Sequence, residues 1–413
     1  MFNTIQGLIK DEQIVAGHDV ASGGLITTLL EMCFADVNLG ADLNISALNE
    51  EDSIKLLFSE NSGIVFQADA SVETILSENN IEFFNIGTSN NSGKVNIINN
   101  EDNFSFDVAE MRDVWYKTSF LLDQKQTANN LAQERFDNYK KQPLQYVFPK
   151  NFKGKLPKIN SKTTRPKAAI IREKGSNSER EMANAMYLAG FDVKDIHMTD
   201  LMSGRENLED IQFIGAVGGF SNSDVLGSAK GWAGAIKYNE NARKAIENFF
   251  KRPDTLSVGI CNGCQLFMEL ELIHPEHHTH GKMTYNDSKK HESNFTSVKI
   301  EANHSVMLSS LVGTTLGVWI SHGEGKFQLP MEQDAYHVVG TYGYEDYPAN
   351  PNGSDYNVAM LADATGRHLV TMPHIERSIF PWNWAYYPNQ MAHEVSPWIE
   401  AFINARNWII EKN

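Results

Sequence analysis

The segment Leu256-Ser257-Val258-Gly259-Ile260-Cys261-Asn262-Gly263-Cys264-Gln265 restricts the fold of this chain more than any other. An apolar run ends at a cysteine bracketed by glycines and passes at once into a helical pattern. A chain can turn that sharply from strand to helix only where small residues stand two before and two after the turning residue, and the turn lifts that side chain to the tip of a sheet. Such an elbow needs strands that are each followed by a helix, and this pattern holds from Pro166 onward. Ala168–Ile171 reads as a buried strand, and a helix follows from Ser178 to Leu188, stopped by Gly190. Further strands are expected at Asp192–His197, Ile211–Val217 and Leu256–Ile260. The alternation predicts an α/β domain with a mainly parallel sheet flanked by helices, whose ligands bind beyond the carboxyl ends of the strands. Ser396-Pro397 opens a last helix with Trp398, Phe402 and Ile409 on one face.

Upstream the pattern changes. Between Asn138 and Arg172 ten Lys or Arg residues occur without one Asp or Glu, together with Pro143, Pro149, Pro157 and Pro166. Prolines hold a chain extended and remove donors, so this stretch is expected to run over a surface as a linker. Before it, a strand at Gln13–Ala16 leads through His18-Asp19-Val20-Ala21-Ser22-Gly23-Gly24 into a helix with Leu25, Leu29, Met32 and Cys33 on one face. Short strands are expected at Gly63–Gln67 and Phe83–Ile86, and a polar helix at Thr127–Lys140. The chain thus divides into a small, partial α+β lobe over 1–122, a linker helix and basic strap over 123–165, and the α/β domain over 166–413. The first lobe is thin for a complete nucleotide-using enzyme and is expected to leave an apolar face uncovered.

Charge and length exclude several classes. The 413 residues suffice for two or three domains, and 36 Lys and Arg against 52 Asp and Glu give a net charge of -16, which repels a polyanion. No apolar run reaches the length of a membrane span, and the start has neither region of a signal peptide. A soluble cytoplasmic protein that meets neither nucleic acid nor membrane is expected. Three cysteines cannot form a disulfide framework.

Cys261 is therefore read for its chemistry. At a helix N-terminus the partial positive charge favours the thiolate, and the Asn262 N–H is placed to bind an oxyanion. A thiolate nucleophile needs a base, and the base needs a partner to fix its tautomer. Pro373-His374-Ile375-Glu376-Arg377 offers both, because residues two apart on an extended segment face the same side. Other readings stay open at this point. Cys261 and Cys264 could be packed small hydrophobes, a redox pair, or half of a zinc site completed by His274, His277, His278 and His280.

Gly259-Ile260-Cys261-Asn262-Gly263-Cys264-Gln265 resembles the Gly-x-Cys-x-Gly-x-Gln signature of class I (triad) glutamine amidotransferases. Further blocks resemble the glutaminase domain of the phosphoribosylformylglycinamidine synthase family in its large, single-chain form. They include Gly218-Gly219-Phe220-Ser221, Ser321-His322-Gly323-Glu324-Gly325, Tyr347-Pro348-Ala349-Asn350-Pro351 and Pro373-His374-Ile375-Glu376-Arg377. His18 to Leu25 and Glu31 to Ala35 resemble the last lobe of that family's synthetase part, which shares its fold with the aminoimidazole ribonucleotide synthetase C-terminal domain.

The resemblance implies a ligase of purine biosynthesis. Its amidotransferase part hydrolyses glutamine through Cys261, His374 and Glu376, and the ammonia serves an ATP- and magnesium-dependent conversion of formylglycinamide ribonucleotide to its amidine elsewhere in the complete enzyme. It implies no cofactor for the glutaminase step and no metal site in this chain. Backbone N–H groups near Gly219 or Phe220 and at Asn262 would hold the oxyanion, while Gln265, Ser321, His322 and Gly323 would hold the glutamine. Asp19, Ser22, Gly23 and Gly24 would touch a phosphate or nucleotide. The sequence departs from the family pattern at Asn222-Ser223, at Ile375, and in the stretch Asn286 to Asn294, where a usual Phe and a later Arg are missing. Most of the family's synthetase part is also missing. The reading is of a C-terminal piece, from a truncated frame, a deliberate cut or a split gene, whose partners are glutamine and the remaining synthetase domains on the same or another polypeptide. Two rival classes are a different thiol hydrolase on the same scaffold and a non-enzymatic zinc or regulatory module.

Overall fold

The computed structural model describes residues 1–141, 145–159, 165–388 and 392–412. The chain forms two compact units, Met1–Asp123 and Gln124–Asn413.

In the first unit, strands Ile14–Asp19 and Ile64–Ala68 pair antiparallel, and Ile5, Leu8, Val72 and Leu76 from the helices Phe2–Lys10 and Ser71–Glu78 form one small core. A four-stranded sheet, ordered Gly87–Asn90, Gly40–Asn44, Lys94–Asn99, Asp102–Asp107, builds a second core around Ile26, Leu43, Ile45, Val95 and Ile97. The two-stranded pair leaves apolar side chains in solvent, with Val15 at 70% and Ile64 at 44% exposure. Phe83–Ile86 is not a strand: the ladder begins one residue later at Gly87, and Ile86 contributes only its carbonyl, to Asn44 N at 2.7 Å. The helix after the glycine pair, Gly24–Glu31, ends before Met32 and Cys33.

A 19-residue helix, Val108–Gln126, carries the chain onward. The helix expected from Thr127 begins only at Leu131, because Asn129 and Asn130 both adopt left-handed backbone at the break.

The second unit is built on a nine-stranded sheet. Five strands run parallel in the order His368–Thr371, Leu256–Ile260, Phe213–Ala216, Lys167–Arg172, Asp192–His197. Beyond His368–Thr371 the sheet continues antiparallel through Val358–Ala362, His337–Tyr342, Glu292–Ile300 and Thr315–His322. Leu256–Ile260 lies inside the parallel half with all five residues buried, which accounts for its uninterrupted apolar character. Helices cover the sheet through Met182, Trp232, Phe249 and Phe402, all buried in one continuous core. The helix Glu179–Ala189 stops at Gly190 in left-handed conformation, and the last helix spans Ile399–Lys412 behind Ser396, whose Oγ accepts from Trp398 N at 3.3 Å.

Of the basic strap, 142–144 and 160–164, Pro143 among them, lie outside the described residues. The part between them lies on the second unit, with Tyr146 and Phe148 set edge-on to Trp384 at 5.1 and 5.8 Å between ring centroids.

Candidate active site

Strand Leu256–Ile260 ends at Cys261, which turns the chain with φ 53° and ψ -104° and starts the helix Asn262–Glu269. A non-glycine residue held there stores roughly 1–3 kcal/mol of strain, which the surrounding packing must outweigh. The flanking glycines make the turn possible. A Cβ on Gly259 would lie 2.5 Å from the Gly263 carbonyl oxygen, and one on Gly263 would lie 2.0 Å from that of Ala216. The Cys261 Sγ is buried and donates to the Ser321 carbonyl at 3.5 Å.

His374 follows the neighbouring parallel strand His368–Thr371, and its N–H donates to Trp319 O at 2.8 Å. Its Nδ1 lies 2.6 Å from Glu376 Oε1. Gly218 shows how tightly the groups converge, since a Cβ there would stand 2.8 Å from His374 Cε1 and 3.5 Å from Cys261 Cβ. Burial alone would lower the His374 pKa, but the Glu376 carboxylate and then the Cys261 thiol raise it to about 10. Burial would likewise push the Glu376 carboxyl up, and the adjacent His374 and Arg377 hold it below its ordinary range. Cys264 faces the other way chemically: complete burial drives its thiol well up, as suits an inert packed cysteine.

Two backbone donors stand beside this convergence, one next to Gly218 in sequence and one next to Cys261. Gly219, at φ 121°, pairs with Ser176 as an isolated bridge, and a Cβ on it would lie 2.5 Å from Asn177 N. Its N–H has no partner among the described residues, and neither has that of Asn262 in the first turn of the elbow helix. Of the two alternatives, the Phe220 N–H already bonds to Gly175 O at 2.9 Å; its half-exposed ring lies 5.9 Å from that of His291. Gln265 also differs from expectation. Its carboxamide is engaged inside the protein, accepting from Asn262 Nδ2 at 2.9 Å and donating to Glu324 O at 2.7 Å. Gln265 thus ties the elbow helix to the turn after Thr315–His322.

On that turn, the Ser321 hydroxyl meets His291 Nε2 at 3.0 Å, and a Cβ on Gly323 would meet open space. His322 is buried, with Nδ1 3.3 Å from Asn286 Oδ1. Burial, and then the nearby His374 and His291, bring its pKa to about 3, so it is neutral.

Asn286 is the residue whose role sequence reasoning missed. It is fully buried, donates to His322 O at 2.7 Å and Lys290 O at 3.0 Å, and accepts from Gly325 N at 3.0 Å. Ser178, expected only to open a helix, also accepts with its Oγ from Gly218 N at 3.3 Å.

The glycine pair of the first unit does not fit a phosphate. Gly23 N–H donates to the Glu60 carboxylate at 2.9 Å and Gly24 N–H to Ala21 O at 3.0 Å, so both amides are taken, one by an anion. A Cβ on Gly24 would lie 2.6 Å from the Phe58 carbonyl carbon, which gives the pair a packing role. Asp19 and Ser22 are exposed beside it, and the Asp19 carbonyl accepts from Thr28 Oγ1 at 3.1 Å.

Residues 165–409, which hold Cys261, His374 and Glu376, match the CobB/CobQ-like glutamine amidotransferase domain. The chain belongs to this family. Residues 1–99 match the C-terminal domain of AIR synthase related proteins. Over 99% of its length the chain is 36% identical to phosphoribosylformylglycinamidine synthase of Homo sapiens, of which it covers 33%. It is also 36% identical over 99% of its length to the probable chloroplastic/mitochondrial phosphoribosylformylglycinamidine synthase of Arabidopsis thaliana, covering 31% of it. For the phosphoribosylformylglycinamidine synthase of Dictyostelium discoideum the values are 35%, 98% and 34%. The likeness is to the C-terminal part of the large form. The chain therefore spans about a third of the curated relatives it matches. No helix among the described residues is long and apolar enough to cross a membrane.

Proposed function

We propose that this chain is the glutaminase part of a phosphoribosylformylglycinamidine synthase, with Cys261, His374 and Glu376 as its catalytic residues. The observation that carries the reading is the convergence of a strained elbow cysteine with a histidine fixed by a buried carboxylate at 2.6 Å, in a glutamine amidotransferase domain. Cys261 Sγ attacks the side-chain carbonyl carbon of glutamine, with its proton held on His374. The Gly219 and Asn262 N–H groups receive the developing oxyanion. His374 passes the proton to the departing nitrogen, the C–N bond breaks, and ammonia leaves behind a glutamyl thioester. His374 then takes a proton from water, whose oxygen attacks the thioester, and the C–S bond breaks to release glutamate and restore the thiol. Glu376 holds the imidazole tautomer throughout. Ser321, whose carbonyl meets the thiol, and Gly323 two residues on would hold the glutamine backbone.

The ammonia would serve the ATP- and magnesium-dependent formation of the amidine from formylglycinamide ribonucleotide in purine biosynthesis. The remaining synthetase domains, on the same or another polypeptide, are the partners in that step. The glutaminase step itself takes no cofactor. We also place the working division at 1–122, 123–165 and 166–413, in a protein of the cytoplasm. The test is glutamate release from glutamine by the purified chain, compared with Cys261→Ala. Release by wild type and its loss in the variant are expected; equal release by both would overturn the assignment. Amidine formation by the chain alone, given ATP, magnesium, glutamine and the ribonucleotide, would overturn its reading as the glutaminase part.

A further inference from the structure

At the far end of the elbow helix lies a second group of side chains that the proposed hydrolysis does not use. His274-Pro275-Glu276-His277 forms a tight turn closed by His277 N–H to His274 O at 3.1 Å, with proline where such turns favour it. The turn stacks the two imidazoles, with centroids 4.6 Å apart and planes within 5°. Glu276 Oε1 lies 3.6 Å from His274 Nδ1 and 3.8 Å from His277 Nε2. Donor atoms of all three residues fall within 4.8 Å of one another, and neither Cys261 nor Cys264 belongs to the group.

Polar satisfaction marks this turn as more than a loop. His274 is 6% exposed, and both of its ring nitrogens, like Nδ1 of His277, are buried without a hydrogen-bond partner among the described residues. Buried polar groups are costly to leave unpaired unless something else meets their lone pairs. Tyr336 presents its ring edge-on to both imidazoles, at 5.5 and 5.2 Å, and so supplies packing without a hydrogen bond.

We propose that His274, His277 and Glu276 bind a divalent transition metal of the zinc class, with water in the fourth position. Two neutral imidazoles and one carboxylate are a donor set that zinc accepts in tetrahedral geometry. Ligand atoms about 2.0–2.2 Å from zinc sit roughly 3.4 Å apart, so the ion draws the three inward, and the exposed Glu276 is free to rotate onto it. The site follows the exit of a helix whose entry is Cys261, and eight residues of α-helix measure about 12 Å. The ion would thus pin the segment that leaves the elbow helix without touching the thiol.

The test uses the full chain, purified without a histidine tag, stripped with a chelator, incubated with zinc and desalted. Elemental analysis is expected to find one zinc per chain, and cobalt in its place to give the visible absorption of a tetrahedral site. Glu276→Gln alters an exposed side chain and leaves the fold intact; together with His277→Gln it is expected to weaken zinc binding about tenfold or more. His278→Gln, next to the site and exposed, should retain the metal. No zinc in the wild type, equal zinc in the double variant, or loss of zinc in Cys261→Ser/Cys264→Ser would each overturn the proposal.

Discussion

His374 Nδ1 stands 2.6 Å from Glu376 Oε1, and the two side chains are 2% and 0% exposed. Two residues apart in sequence, they meet because the 3-10 turn Ile375–Arg377, which starts directly after His374, brings the carboxylate to the ring.

Replacing that carboxylate removes the charge that raises the imidazole. Glu376→Gln is expected to lower kcat/KM for glutamine hydrolysis by about 10²–10⁴-fold, with the fold kept. Steady-state kinetics beside circular dichroism checks both halves of this expectation.

The same pair predicts a pH dependence of stability. The folded-state pKa of His374, about 10, lies above the unfolded value of 6.5, so its contribution is complete below pH 6.5 and is lost as pH rises to about 10. Glu376 is shifted the other way, and its contribution is present above its ordinary value of 4.5 and is lost as pH falls through its lowered one. Thermal midpoints should therefore fall between about pH 6.5 and 10 in wild type and show a shallower fall in Glu376→Gln. Parallel slopes in the two proteins would dissociate the pair from this effect.

Gly218→Ala tests positioning. The added methyl would stand 2.8 Å from His374 Cε1, so the ring must move. A displacement on the order of 1 Å costs about 10²-fold in rate, and kcat is expected to fall while stability changes little.

Asn286→Ala removes the group that bonds His322 O, Lys290 O and Gly325 N and leaves them unpaired in the interior. A loss of about 3 kcal/mol in denaturant unfolding is expected, with a raised KM because the Ser321–Gly323 turn loses its anchor.

The elbow was legible in the sequence because its constraint is local. Gly259, Cys261 and Gly263 meet across four residues, and so do the apolar strand and helix on either side. His374 and Glu376 also meet locally, but through the 3-10 turn Ile375–Arg377 and not the extended segment on which their pairing was expected. Gln265 and Asn286 were not legible, because the partners that tie them to the Ser321–Gly325 turn, Glu324 and His322, lie 59 and 36 residues away and spacing carries no trace of them. The antiparallel half of the sheet was likewise invisible: Val358–Ala362 is buried throughout and reads like a parallel strand. Phe83–Ile86 had strand composition, but pairing with Gly40–Asn44 begins at Gly87, where φ of 141° suits a residue without a side chain.

The central claim is that Cys261 is the nucleophile of a glutamine pocket. Peptide mass spectrometry after treatment with an electrophilic glutamine analogue, with and without competing glutamine, tests it most directly. The account predicts a single label on Cys261 that glutamine suppresses, with Cys264 untouched. A label on Cys264, a label on Cys261 that glutamine does not protect, or no label at all would contradict it.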